Sequence, residues 1–109
     1  FTMFAALKTE YRNVTTAAHT ITSTDGRFIH LCDSSAGGAN EAITVNLPAA
    51  SGNNYRQLIV KDSGGDAAAN NITIDPDGAE TIDGAATLVI NENYGAAHFI
   101  CDGSNWFIL

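Results

Sequence analysis

Apolar and polar residues alternate with a period of two in short bursts along most of the chain, and Gly, Asn, Asp and Pro separate the bursts. That period puts successive side chains on opposite faces of a strand, so each burst predicts a strand with one buried face. "HTITST" runs into "DGRFIHLCD", and the Asp25-Gly26 pair between them predicts a hairpin, because both positions tolerate positive φ. In "ITVNLP", Ile43, Val45 and Leu47 share one face and Thr44 and Asn46 the other, with Pro48 ending the strand. "QLIVKD" is nearly continuous in its apolar run, which predicts burial on both faces or at a subunit contact. "ITIDPDG" stops at Pro76, "ATLVINEN" and "AAHFICDG" follow as strands joined near Tyr94-Gly95, and "NWFIL" closes the sequence after Asp102-Gly103.

Strands at roughly ten-residue spacing with no amphipathic helical stretch after residue 12 predict an all-β fold: an antiparallel β-sandwich, jelly roll or small barrel. The segment "FTMFAALKTEY" departs from the alternation. Phe1, Phe4, Leu7 and Tyr11 recur at spacings of three and four, which fits a short helix or an arm with one apolar side. Residues 1–14 are therefore expected as an N-terminal arm, and 15–109 as the β domain. The opening lacks the basic start of a secretory signal.

Composition narrows the function. At 109 residues the chain is one domain with a limited core. It is 45% hydrophobic but only 16% charged, with a formal charge of -7. Its five basic residues, Lys8, Arg12, Arg27, Arg56 and Lys61, are scattered along the sequence, so neither nucleic acid nor an anionic membrane is expected as a partner. No apolar run approaches the roughly 20 residues of a spanning helix.

Chemistry has few candidates. "ITIDPDGAETIDG" gathers Asp75, Asp77, Glu80 and Asp83, but a calcium loop of EF-hand type needs glycine at its sixth position, and here Gly78 falls fourth. Asp-Pro and Asp-Gly are turn formers, and that is the expected role of the stretch. Paired carboxylates of a glycosidase would need a cleft and sugar platforms that the sequence does not supply. His19, His30 and His98 occur singly, without metal-ligand spacing. Cys32 and Cys101 are expected as buried free thiols. No nucleophile or phosphate motif is present, so no catalytic, metal or cofactor residue is assigned and the chain is not expected to be an enzyme.

The run "AITVNLPAASGNNYRQLIVKDSGGDAAANNITIDPDGAETIDGAATLVINENYGAAHFICDGSNWFIL", residues 42–109, resembles a β module of tailed-bacteriophage virion proteins. The ordered series of a "TVNLPAA" strand, an "IVKDSGG" strand and loop, "NITIDPDG", "TIDG", "NYG" and "DGSNWFIL" carries the likeness. Cys101 stands where such modules have a hydrophobic or hydroxyl residue. The module is similar to parts of trimeric tail fibres and spikes and to head-decoration, or cement, proteins. The resemblance and the short chain together imply a capsid decoration protein, a homotrimer on the outer surface of the virion head that binds the major capsid protein and stabilises the joints between its subunits. The expected interface comprises Phe1, Phe4, Leu7, Tyr11, Leu58, Val60, Trp106 and Ile108. The alternative is a tail fibre or spike module for host attachment or carbohydrate binding, with Tyr55, Tyr94 and Trp106 as stacking surfaces.

Overall fold

A computed structural model describes residues 10–109, and over these the protein is all-β, with no helix. Its strands are β1 (Tyr11–Val14), β2 (Ala18–Thr20), β3 (Ile29–Cys32), β4 (Ile43–Asn46), β5 (Gln57–Asp62), β6 (Ile72–Asp75), β7 (Leu88–Ile90), β8 (Ala96–Cys101) and β9 (Trp106–Ile108). Burial follows the alternation read from the sequence. Ile43 and Val45 in β4, Leu58, Val60 and Asp62 in β5, and Ile72 and Ile74 in β6 turn inward, while their neighbours are less buried.

The strands divide between a five-stranded sheet of order β1-β3-β5-β8-β9 and a four-stranded sheet of order β2-β4-β6-β7. Up to β6, successive strands alternate between the two sheets. The chain therefore coils, returning to each sheet beside its own previous pass. Tyr11 lies beside Ile29 and Ile29 beside Ile59; in the other sheet Ala18 lies beside Thr44 and Thr44 beside Thr73. A parallel pair needs a long crossover, and here a strand of the other sheet lies within it. Only the last passes reverse, with β7 antiparallel to β6, β8 to β5 and β9 to β8.

Antiparallel pairing throughout, expected from the turn spacing, is thus corrected: both sheets are mixed, and they are not closed into a barrel. The expected hairpin at Asp25-Gly26 does not form, because β2 and β3 belong to different sheets. Ile21 still donates its N–H to the Asn46 carbonyl at 2.8 Å, so the chain follows the four-stranded sheet past β2 before crossing. Neither Asp25 nor Gly26 takes the positive φ that a tight hairpin turn requires. Likewise β7 and β8, flanking Tyr94-Gly95, lie in different sheets. A tight reversal does occur at "TIDG": Asp83 (φ 50°) and Gly84 (φ 81°) turn the chain, and Ile82 and Ala85 exchange backbone hydrogen bonds of 2.9 Å.

Of the segment expected as an arm, Phe1, Phe4 and Leu7 lie outside the described residues. Tyr11–Val14 is β1, hydrogen-bonded to β3 as the outer strand of the larger sheet.

Inward residues of both sheets meet in one core. Val14, Cys32, Leu58, Val60, Phe99, Cys101 and Trp106 come from the larger sheet and Ile43, Val45, Ile72, Ile74 and Ile90 from the smaller. The Trp106 ring meets Phe99 edge to face, with centroids 5.7 Å apart and planes at 84°. Fully burying a large apolar side chain is worth about 1.5–3 kcal/mol, so this layer is the main source of stability.

Candidate functional site

The residues expected at an interface fall into two groups. Leu58, Val60 and Trp106 are completely buried in the chain's own core, so their assignment to a subunit contact is corrected. β5 is a central strand, flanked by β3 and β8, and the inward side of a central strand has no surface to offer a partner. Tyr11 and Ile108 are exposed, at 54% and 43%. They stand on β1 and β9, the two outer strands of the larger sheet. Beside Ile108, the exposed Phe107 and Leu109 extend the apolar strip along β9. Of Trp106 and Ile108, the two residues of this stretch expected at the interface, only Ile108 is exposed.

The aromatic stacking set also divides. Trp106 is buried, whereas Tyr55 and Tyr94 are exposed. Both tyrosines take a left-handed backbone, φ 66° and 62°, a costly conformation for a bulky residue. Backbone bonds hold them there: Tyr55 N–H donates to the Cys101 carbonyl at 2.7 Å, and Tyr94 N–H to Asp62 Oδ2 at 2.9 Å. The Tyr94 ring lies against Gly65, where any Cβ would run into it, and the Lys61 ammonium stands 6.0 Å from its centroid.

Asp62 organises this corner. Its carboxylate is fully buried and accepts the N–H groups of Gly64 and Gly65 on Oδ1 and of Ala67 and Tyr94 on Oδ2, at 2.9–3.1 Å. Burial opposes its charge, but the four N–H donors outweigh it and hold the pKa below the usual value. Beside it, burial and the Asp62 charge push the Cys32 thiol up to about 12. Both cysteines are free and buried. Cys32 pairs in register with Asp62 at one end of β5, and Cys101 donates its N–H to the Arg56 carbonyl just before the other end. Six residues of strand separate those positions by roughly 20 Å, well beyond disulfide reach.

Two of the four carboxylates of the acidic stretch, those of Glu80 and Asp83, serve the backbone. Both Glu80 oxygens accept the Ala50 N–H at 3.0 Å, and Asp83 Oδ1 accepts the Ile108 N–H at 3.0 Å.

Another set of polar side chains does converge, where the chain crosses from β2 to β3. His19 occupies an inward position of the smaller sheet, in register with the buried Val45, and His30 an inward position of the larger one, in register with Val60. Their rings face each other across the end of the core, centroids 5.6 Å apart. Asp25, on the connection, completes the group: one ligand-type atom from each of the three lies within 4.8 Å of the others. His98 is elsewhere, on the outer face of the larger sheet against Phe28, bonded to Gln57 Oε1 at 2.9 Å.

Three of the five basic residues, scattered in sequence, gather around the same loop. Arg12 Nε reaches Asp25 Oδ2 at 3.3 Å, and Arg27 Nη1 stands 3.5 Å from Oδ1. Arg56 donates to the carbonyls of Thr22 and Asp25. Asp25 loses solvation on burial, but the Arg27 N–H and the Arg12 charge more than compensate and lower its pKa. Burial lowers both histidines below the ordinary value, with Arg12 also acting on His19 and Asp25 pulling the other way. At neutral pH the group is one carboxylate and two neutral imidazoles.

Compared with known protein families and with curated proteins, the sequence matches no family model and no curated protein.

Proposed function

We propose that the chain is a non-catalytic structural protein of a tailed-phage virion, a capsid decoration protein that assembles as a homotrimer on the outer head surface and binds the major capsid protein across its subunit joints. The virion assignment rests on the resemblance of residues 42–109. The observation that carries association is the apolar strip of β9, where Phe107, Ile108 and Leu109 are exposed on the outer strand of the larger sheet. The backbone of this strand is already occupied, with Trp106 N–H donated to the Thr81 carbonyl, the Trp106 carbonyl accepting the Asp83 N–H and Ile108 N–H donated to Asp83 Oδ1, so a partner meets the exposed apolar side chains rather than extending the sheet, and Tyr11 on β1 gives the other side of the sheet an exposed aromatic ring. In this reading the two sheets are the layers of a β-sandwich and stay rigid while the edges make the contacts. Stable contacts of this class bury roughly 1,200–2,000 Å², and several on one trimer add by avidity. The mechanism is surface burial across joints, which raises the cost of separating capsid subunits and needs no reaction.

A second reading, a tail fibre or spike module for host attachment or carbohydrate binding, is favoured by Tyr94, whose exposed ring is held against Gly65 as a platform. Copy number relative to the major capsid protein, by quantitative mass spectrometry of purified particles, separates the two. Hundreds of copies in a fixed ratio to the capsid lattice support decoration, and a few to tens support the tail module.

A further inference from the structure

We propose that His19, Asp25 and His30 form a site for one divalent first-row transition ion of the zinc class, which ties the two sheets together at the β1/β2 end of the core. This inference does not rest on the virion reading.

The hydrogen-bond accounting points to it first. His30 is completely buried. Its Nε2 faces the Arg27 carbonyl at 3.3 Å, and a carbonyl only accepts, so the ring must carry its proton on Nε2. In the neutral imidazole, Nδ1 is then a bare lone pair. That Nδ1 is buried and has no partner, and neither has the buried Nε2 of His19. A buried polar atom left unpaired costs about 1–3 kcal/mol, and both atoms belong to the facing rings that, with Asp25, each bring one ligand-type atom within 4.8 Å of the others, so a cation held among these three residues would give the rings the partner they lack. Histidines that bind metals commonly fix their orientation by donating the other ring N–H to a backbone carbonyl, which is the bond His30 makes.

Geometry and ligand chemistry then select the ion. Tetrahedral ligands at about 2.0–2.1 Å from zinc stand about 3.3 Å apart, so ligand atoms already within 4.8 Å need to close by at most about 1.5 Å, within the range of side-chain rotation. Two imidazole nitrogens disfavour calcium and magnesium, which take oxygen ligands, and suit zinc, copper, nickel or cobalt. Arg12 and Arg27 counter Asp25 and leave the pocket with no surplus negative charge. Binding therefore depends on coordination by the imidazoles, while Arg12 holds Asp25 from outside as a positioning residue. Three protein ligands leave a fourth position for water. The ligands come from β2, from β3 and from the connection between them, so the ion crosslinks the sheets where the coil begins.

The test uses the full chain freed of metal by chelator and titrated with zinc chloride by calorimetry, with melting followed in zinc, calcium or magnesium. One zinc ion per chain is expected, with a Tm raised by zinc but not by calcium or magnesium. His19→Ala, at a half-buried position, should lose at least about 100-fold in zinc affinity while its metal-free Tm stays near that of the parent. His98→Ala should bind as the parent does, and Asp25→Asn should bind more weakly than the parent. Should His19→Ala fold poorly, His19→Gln replaces it with the same expectation. Absence of zinc binding by the parent chain, or equal binding by the parent and the His19 variant, overturns the proposal.

Discussion

Replacing Asp62 with asparagine isolates the buried carboxylate on which two loops depend. The substitution keeps shape and volume but turns one acceptor oxygen into an NH₂ donor. Two of the four N–H groups now held by Asp62, those of Gly64 and Gly65 or those of Ala67 and Tyr94, would then face a donor. Each buried N–H left without an acceptor costs about 1–3 kcal/mol, so Asp62→Asn should destabilise the domain by about 4 kcal/mol. For a domain of this size about 1 kcal/mol moves Tm by about 4–8 °C, which predicts a fall of roughly 20 °C in circular-dichroism melts at pH 7. The pH dependence gives a second reading. A carboxylate whose folded pKa lies below its unfolded value contributes its full stability above the unfolded value, near 3.9, and loses it as pH falls through the folded one. The gap between parent and variant should hold from neutral pH down to about 5 and close in stronger acid. A Tm loss under about 5 °C, or a gap that does not shrink in acid, would refute the account of Asp62 as the acceptor for these four donors.

Two further outcomes follow from burial. Neither Cys32 nor Cys101 should react with a thiol reagent at pH 8 in the native protein, and both should react in denaturant, with no disulfide in the intact mass; rapid native labelling of Cys32 would contradict its raised pKa. Trp106→Ala should cost about 3–5 kcal/mol in urea unfolding, whereas Tyr55→Ala should cost under about 1 kcal/mol, because the Tyr55 ring is 79% exposed; equal losses would mean that Trp106 is not a core residue.

Strand positions were legible because alternation directly reports which side chains turn inward. "QLIVKD" coincides with β5, and Ile43, Val45 and Leu47 are buried as their spacing requires. Pairing was not legible, since a period of two says that a strand has a buried face and nothing about its neighbour. Asp25-Gly26 was read as a hairpin for that reason, although the partner of β3 lies 18 residues back at Tyr11 and 30 residues on at Ile59, counting from Ile29. The same gap hid the histidine pair. His19 and His30 meet across two sheets, so no spacing motif records them. Parity does hold a trace: His19 shares its face with Ile21, and His30 shares its face with Cys32, both fully buried. An inward histidine opposite another inward histidine was the available signal. Leu58, Val60 and Trp106 were misplaced at the interface for the converse reason, because hydrophobicity alone does not separate the buried Trp106 from the exposed Phe107 beside it.

The coiling of the chain between its sheets also sets how the protein can change in length. Successive passes keep their register although 18 residues separate Tyr11 from Ile29 and 30 separate Ile29 from Ile59. Most of the twelve-residue difference lies in the corners, the rest in a longer β4 and in the start of β5. Loop closure penalises extra residues only logarithmically, so a corner with no buried residue, such as the exposed 15–17, can be lengthened or exchanged while the strands stay where they are. The fold is in this sense a frame for grafting, in which new surface is added at the bends without redesign of the core.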